Sequence, residues 1–146
     1  MKKQNIIIGC LLCFVLYSCN KNVDETVAIK ALLEKESATW RSGDVAGHAA
    51  CWQVQPYSRI LVSAGNGEVY DVPPANMLEG AEGMGNGGSS LNSNYQWAIN
   101  GDTGWVSHSE TSTSVTGVQT KSFEIRLVEK INGNWKLVGQ SIHILK

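Results

Sequence analysis

The chain has 146 residues, 12 Lys plus Arg against 13 Asp plus Glu, and a net charge of −1. Nothing in that balance supplies the basic stripe that nucleic-acid binding requires, so that class is excluded. The length is one domain's worth, enough to bury a real core.

The N-terminal stretch "MKKQNIIIGCLLCFVLYSCN" places two lysines before an apolar run from Ile6 to Tyr17. That run is too short to cross a bilayer as a helix, which takes roughly 20 apolar residues, and it reads as a secretory signal. Its end, "LYSC" (Leu16 to Cys19), resembles the lipobox of bacterial lipoproteins: a leucine three before the cysteine and a small residue just before it. The resemblance implies diacylation of the Cys19 sulfur, cleavage before Cys19 and acylation of the new amino terminus. Two or three acyl chains hold a protein to a bilayer where one does not. The plainer alternative is an ordinary secretory signal, or an uncleaved anchor, with Cys19 incidental. On the lipoprotein reading, residues 1–18 are a signal peptide, 19–24 a lipidated tether and 25–146 the domain. Asn20, rather than Asp, after the cysteine points to the outer membrane of the cell envelope by the enterobacterial sorting rule. Removing residues 1–18 leaves 128 residues, and the loss of Lys2 and Lys3 leaves 10 basic against 13 acidic residues, net −3. Cys10 and Cys13 leave with the signal and Cys19 carries lipid. Cys51 is then alone, without a disulfide partner, and reads as a small buried hydrophobe.

"VAIKALLEKESATW" sets Val27, Ala31, Leu32, Leu33 and Trp40 on a helical stripe, with Asp24 placed to cap its start. Gly43 breaks that helix, and Asp44 can cap a second, "VAGHAACW". "YSRILVSA" and "EVYDVP" read as two strands joined by "GNG", and "PANMLEGAEGM" as a short helix. The segment Gly80 to Ser90 holds five glycines but neither a Walker nor a dinucleotide-binding order, so it is expected to be a loop or lid. Four strands follow as two hairpins. "NYQWAIN" and "TGWVSHSET" turn at Gly101 and Asp102; "VQTKSFEIRLVEK" and "WKLVGQSIHIL" turn at Asn132 and Gly133. Helices first and strands later indicate an α+β domain, with helices packed on one face of an antiparallel sheet.

This order, with a first helix ending in "WRSGD", the "INGDTGWVSHSE" hairpin and "FEIRLVEKINGNWKLV", resembles the NTF2-like superfamily, in particular its SnoaL-like or DUF4440-type domains. The resemblance covers about 120 residues. It implies a cone: N-terminal helices over a curved antiparallel sheet, enclosing a mostly apolar cavity that binds small molecules in some members. It also implies a homodimer through the exposed sheet face.

The resemblance makes Trp40, Trp52, Tyr57, Trp97 and Trp105 candidate cavity walls, although an aromatic is more often core. Glu124 and Arg126 alternate with Phe123, Ile125 and Leu127, and only one of these sets can face the helices. Val106, His108 and Glu110 share a face and can lie opposite Glu124 and Arg126 in an antiparallel pair. The residues alone leave two arrangements open: an inward network of His108, Glu110, Glu124 and Arg126, and, slightly ahead of it, an exposed or interfacial ion-pair ladder.

Isomerase-like relatives carry a carboxylate base in the segment that here reads "CWQVQPYSRIL", which has no Asp or Glu. A catalytic reading therefore falls to His108, Glu110 and Glu124, and a non-catalytic one leads. Three histidines without an H-x-x-x-H spacing give no metal signature, and no cofactor is implied. The expected function is a membrane-anchored envelope lipoprotein that binds a small, largely apolar molecule or a protein partner. The alternative is a lyase or isomerase of the SnoaL or ketosteroid-isomerase type.

Overall fold

A computed structural model describes residues 21–146; the signal-peptide and Cys19 expectations lie outside the described residues. The order is α1 (Lys21–Ser42), α2 (Val45–Ala49), β1 (Ile60–Ser63), β2 (Val69–Val72), α3 (Asn76–Glu79), β3 (Ser89–Asn100), β4 (Thr103–Thr113), β5 (Gln119–Ile131) and β6 (Asn134–Ile144). These strands form one six-stranded sheet in the order β2-β1-β6-β5-β4-β3. The α+β class holds, and the sheet is mixed rather than purely antiparallel, because β1 runs parallel to β6. That contact joins segments about 80 residues apart, and hairpin chemistry carries no information about it.

The β5–β6 turn forms where Asn-Gly predicts it: Asn132 and Gly133 have φ of 50° and 81°, the left-handed pair that a tight hairpin requires. α1 includes Lys21–Asp24, so the helix begins ahead of the proposed Asp24 cap. Its buried face also differs from the expected stripe. Val27 and Ala31 face water, while Ile29, Leu33, Glu36 and Ser37 are buried and Trp40 is partly buried. The spacing is helical, but two of its buried positions are polar. Ile29 and Leu33 meet Trp52, Ile60, Val106, Val128, Trp135 and Leu137 in the core, with Cys51 buried among them. Among the described residues no helix is long and apolar enough to cross a membrane.

Candidate functional site

Strand register sets the inner wall. Val106, Arg126, Gln140 and Ile60 stand side by side across β4, β5, β6 and β1. Next to them run His108, Glu124, Ile142 and Val62, and then Glu110, Ser122 and Ile144. The pairing of His108 with Glu124 and of Val106 with Arg126 is the one the alternation allows. All these side chains point toward α1. Phe123, Leu127 and Trp105 lie on the other face, each about 40–46% exposed. The exposed-ladder reading is therefore overturned: Glu124 and Arg126 are 3% and 5% exposed. The register puts the polar set under the helices, and buried charge is stable only when paired.

The partners come from three elements. On β5, Arg126 is paired with Glu124, and it donates to the Gln140 amide oxygen on β6. From α1, Glu36 comes within 3.7 Å of the Arg126 guanidinium. One turn further along α1, Arg41 donates to Glu110 at 2.6 Å, and the Ser37 hydroxyl donates to the other Glu110 oxygen at 3.2 Å. The Ser122 hydroxyl donates to Glu124 at 2.7 Å.

α2 adds a histidine. Its Asp44 cap accepts from the Gly47 N–H at 2.8 Å and starts the short helix that carries His48, which is fully buried between the rings of Trp40 and Trp52. His48 Nδ1 donates to the Met77 carbonyl at 3.0 Å, and Nε2 stands 3.1 Å from Glu36. A chain of polar contacts thus runs from the backbone of α3 through His48, Glu36 and Arg126 to Glu124.

Burial opposes ionisation of Glu36, but Arg126 and His48 outweigh it and hold its carboxyl below the ordinary value. Glu110 moves the other way: burial and the neighbouring Glu124 raise it, against the pull of Arg41. His108 is pushed down by burial and then by Arg126, with Glu124 opposing. Its Nε2 stands 3.7 Å from Glu124, beyond hydrogen-bonding reach, and its ring packs against Tyr95.

Beside this network opens a cavity of about 470 Å³. One side is aliphatic, with Ile60, Val62, Val72, Met77, Ile142 and Ile144; the other carries Glu36, Glu110, Glu124, Arg126 and Gln140. Trp40 and Arg41 border it from the end of α1, and Ala81 and Glu82 from the glycine-rich loop. That loop is tied to α1 through N–H bonds from Gly85 and Gly87 to the Trp40 and Arg41 carbonyls. Gly85 and Gly43 meet so closely that a Cβ on Gly43 would lie 3.2 Å from the Gly85 Cα, which no larger side chain suits.

Of the candidate residues, Trp40, Glu110, Glu124 and Arg126 line the cavity. His108 is buried and is not among the cavity-lining residues. Trp52 belongs to the core, and Trp97 packs against the core while stacking on Tyr95. Tyr57 and Trp105 sit on the opposite sheet face, where they line a shallow groove with Leu127. Strand parity puts Trp105 there, since its neighbour Val106 points inward. Sequence reasoning missed Glu36, Ser37, Arg41, His48 and Gln140. Glu36 carried a usable signal, being seven residues after Ile29 on the same helical face. Among the described residues no three His, Cys, Asp or Glu side chains are grouped to hold a metal ion.

No protein-family model matches the chain, and no curated protein matches it in sequence. Solved structures do match in shape. An NTF2-like protein of unknown function from Shewanella baltica aligns with a TM-score of 0.65 at 14% identity, covering 88% of this chain and 99% of that one. A protein of unknown function with a cystatin-like fold from Nostoc punctiforme gives 0.64 at 17% identity, over 85% and 92%. An NTF2-like protein of unknown function from Methylobacillus flagellatus gives 0.62 at 18%, over 87% and 97%. Helices over one face of a curved sheet, with a cavity between them, and repeated agreement with these structures lead to one conclusion: the chain has the NTF2-like fold.

Proposed function

We propose that this protein is an envelope lipoprotein, anchored through Cys19, whose NTF2-like domain binds a small, largely apolar molecule in the cone cavity without transforming it. The observation that carries the binding reading is the cavity itself: about 470 Å³, one side aliphatic and the other polar and charged. Cavities of this size hold small organic ligands, with a few polar groups fixing their orientation. The anchor rests on the lipobox at Leu16 to Cys19. Assembly as a homodimer through the outer sheet face is part of the proposal, because Trp105, Phe123 and Leu127 leave apolar area half exposed there.

Native mass spectrometry of the purified protein tests the binding, and a co-purifying mass lost on denaturation is the expected result. The anchor is tested by Cys19→Ser with acyl-chain labelling; unchanged labelling and membrane retention would sink it.

A second reading, as a lyase or isomerase, is favoured by Glu110. Its carboxyl faces the cavity and is raised by burial, as a general acid or base at neutral pH requires. Glu124 is the other cavity carboxylate. Because His108 does not line the cavity, this chemistry falls to the carboxylates. Glu110→Gln tests this reading through turnover, which a catalyst loses in the variant and a binding protein never has.

A further inference from the structure

The cavity's polar wall specifies the chemical class of its occupant. Three buried carboxylates, Glu36, Glu110 and Glu124, face two guanidiniums, Arg41 and Arg126. An anionic ligand would add a fourth negative charge to a region where Glu110 and Glu124 already repel. A cationic ligand would have to lose its water next to Arg41 and Arg126, which border the same space.

The guanidiniums nonetheless have capacity left. The Nε of Arg126, on a side chain 6% exposed, and the Nε of Arg41 are buried donors that no acceptor among the described residues reaches. Each Glu110 oxygen has one donor, from Arg41 or Ser37, while a carboxylate oxygen takes two. The lining also includes the neutral hydroxyls of Ser112, Thr120 and Ser122. The site therefore offers spare donors and a spare acceptor beside an aliphatic wall, and its charged side carries both signs, with one buried carboxylate more than guanidiniums.

Resting on the binding reading above, we infer that the ligand class is uncharged and hydroxyl-bearing. Its O–H donates to the Glu110 carboxylate, its oxygen accepts from an arginine Nε–H, and its apolar body lies against Val62, Val72 and Ile142. An ether or ketone meets only the donor, and a hydrocarbon meets neither.

The test uses four probes on one skeleton, measured by isothermal titration calorimetry at pH 7 with the purified protein: 2-naphthalenemethanol, 2-naphthoic acid, 2-naphthalenemethylamine and 2-methylnaphthalene. The alcohol is expected to bind at least tenfold more tightly than each of the others. Val62→Trp, which fills the cavity from β1, is expected to abolish that binding, with near-ultraviolet circular dichroism confirming that the variant is folded. Equal affinities, or tighter binding of the acid, the amine or the hydrocarbon, overturn the hydroxyl class while leaving the binding reading intact. Alcohol binding that survives in folded Val62→Trp places the hydroxyl elsewhere and overturns the inference in the same way. Failure of all four probes to bind overturns the binding reading, and the inference with it. The wild-type ranking decides the class by itself, and it does so equally where the Val62→Trp chain fails to fold.

Discussion

The two faces of β4 and β5 invert the usual arrangement of a half-buried sheet. The face under the helices carries His108, Glu110, Glu124 and Arg126, all at most 9% exposed, while the outer face carries Trp105, Phe123 and Leu127 at about 40–46%. Ordinarily an antiparallel sheet turns its apolar set to the core and its polar set to water. Here the inner face lines a cavity, the charges on it are held in pairs, and the apolar set is left outside. Strict alternation therefore fixes which residues share a face and does not reveal which face is inside.

The comparison is broken most severely at Arg126. On the inner face, Arg126→Ala leaves Glu124 and Glu36 buried without their shared cation, which costs about 3–5 kcal/mol in urea denaturation. If the residue were a surface rung, the loss would be at most about 1 kcal/mol. The double variant Arg126→Met with Glu124→Leu is expected to lose less than the sum of its single changes, because it removes the stranded charge along with its partner.

On the outer face the expected effect is smaller in stability and is read in association. Leu127→Glu removes no buried contact of the kind Arg126 makes, so the monomer is expected to change by less than about 1 kcal/mol. Under the proposed homodimer the same charge enters an apolar contact between copies, and a cost of about 2 kcal/mol there weakens dimerisation roughly 30-fold. Sedimentation equilibrium of wild type and variant measures this. A wild-type protein that stays monomeric at tens of micromolar would remove the homodimer from the proposal.

The fold was largely legible because its signals are local. Helical spacing in α1, the Asn132-Gly133 turn and the strand alternation each depend on neighbours within about ten residues. The β4–β5 register was legible too, since it is unbroken along the hairpin and pairs His108 with Glu124. What failed was long-range or irregular. Counting back from the Asn132-Gly133 turn places Arg126 opposite Gly139, but a bulge at Leu127/Val128 shifts the pairing by one and brings Gln140 there. The parallel β1–β6 contact and the approach of Glu36 and Arg41 to the sheet are tertiary events with no local pattern. Once Arg126 is placed inside, however, a carboxylate on the buried stripe of α1 becomes its natural partner.

The smallest expected effect is a pair of opposed pH slopes within the inner face. His108 is held below its ordinary value of 6.5 by burial and by Arg126, so the fold prefers it neutral. As pH falls below 6.5 the unfolded chain takes up that proton and the folded chain does not, and stability declines until the folded value is reached. Glu110 is raised above its ordinary 4.5 by burial and Glu124, so the fold prefers it protonated. Its contribution is fully present below 4.5 and is lost as pH rises through the folded value, which makes acidification favourable at this site. Glu36, held below 4.5 with Arg126 and His48 prevailing over burial, contributes above 4.5 and weakens only in stronger acid. Urea midpoints measured from pH 6.5 down to 4.5 therefore separate the two groups. His108→Gln is expected to flatten the loss of stability on acidification, and Glu110→Gln to steepen it. Identical slopes in wild type and both variants would show that neither group changes its proton affinity on folding, and that the inner face is more open to water than its pairing implies.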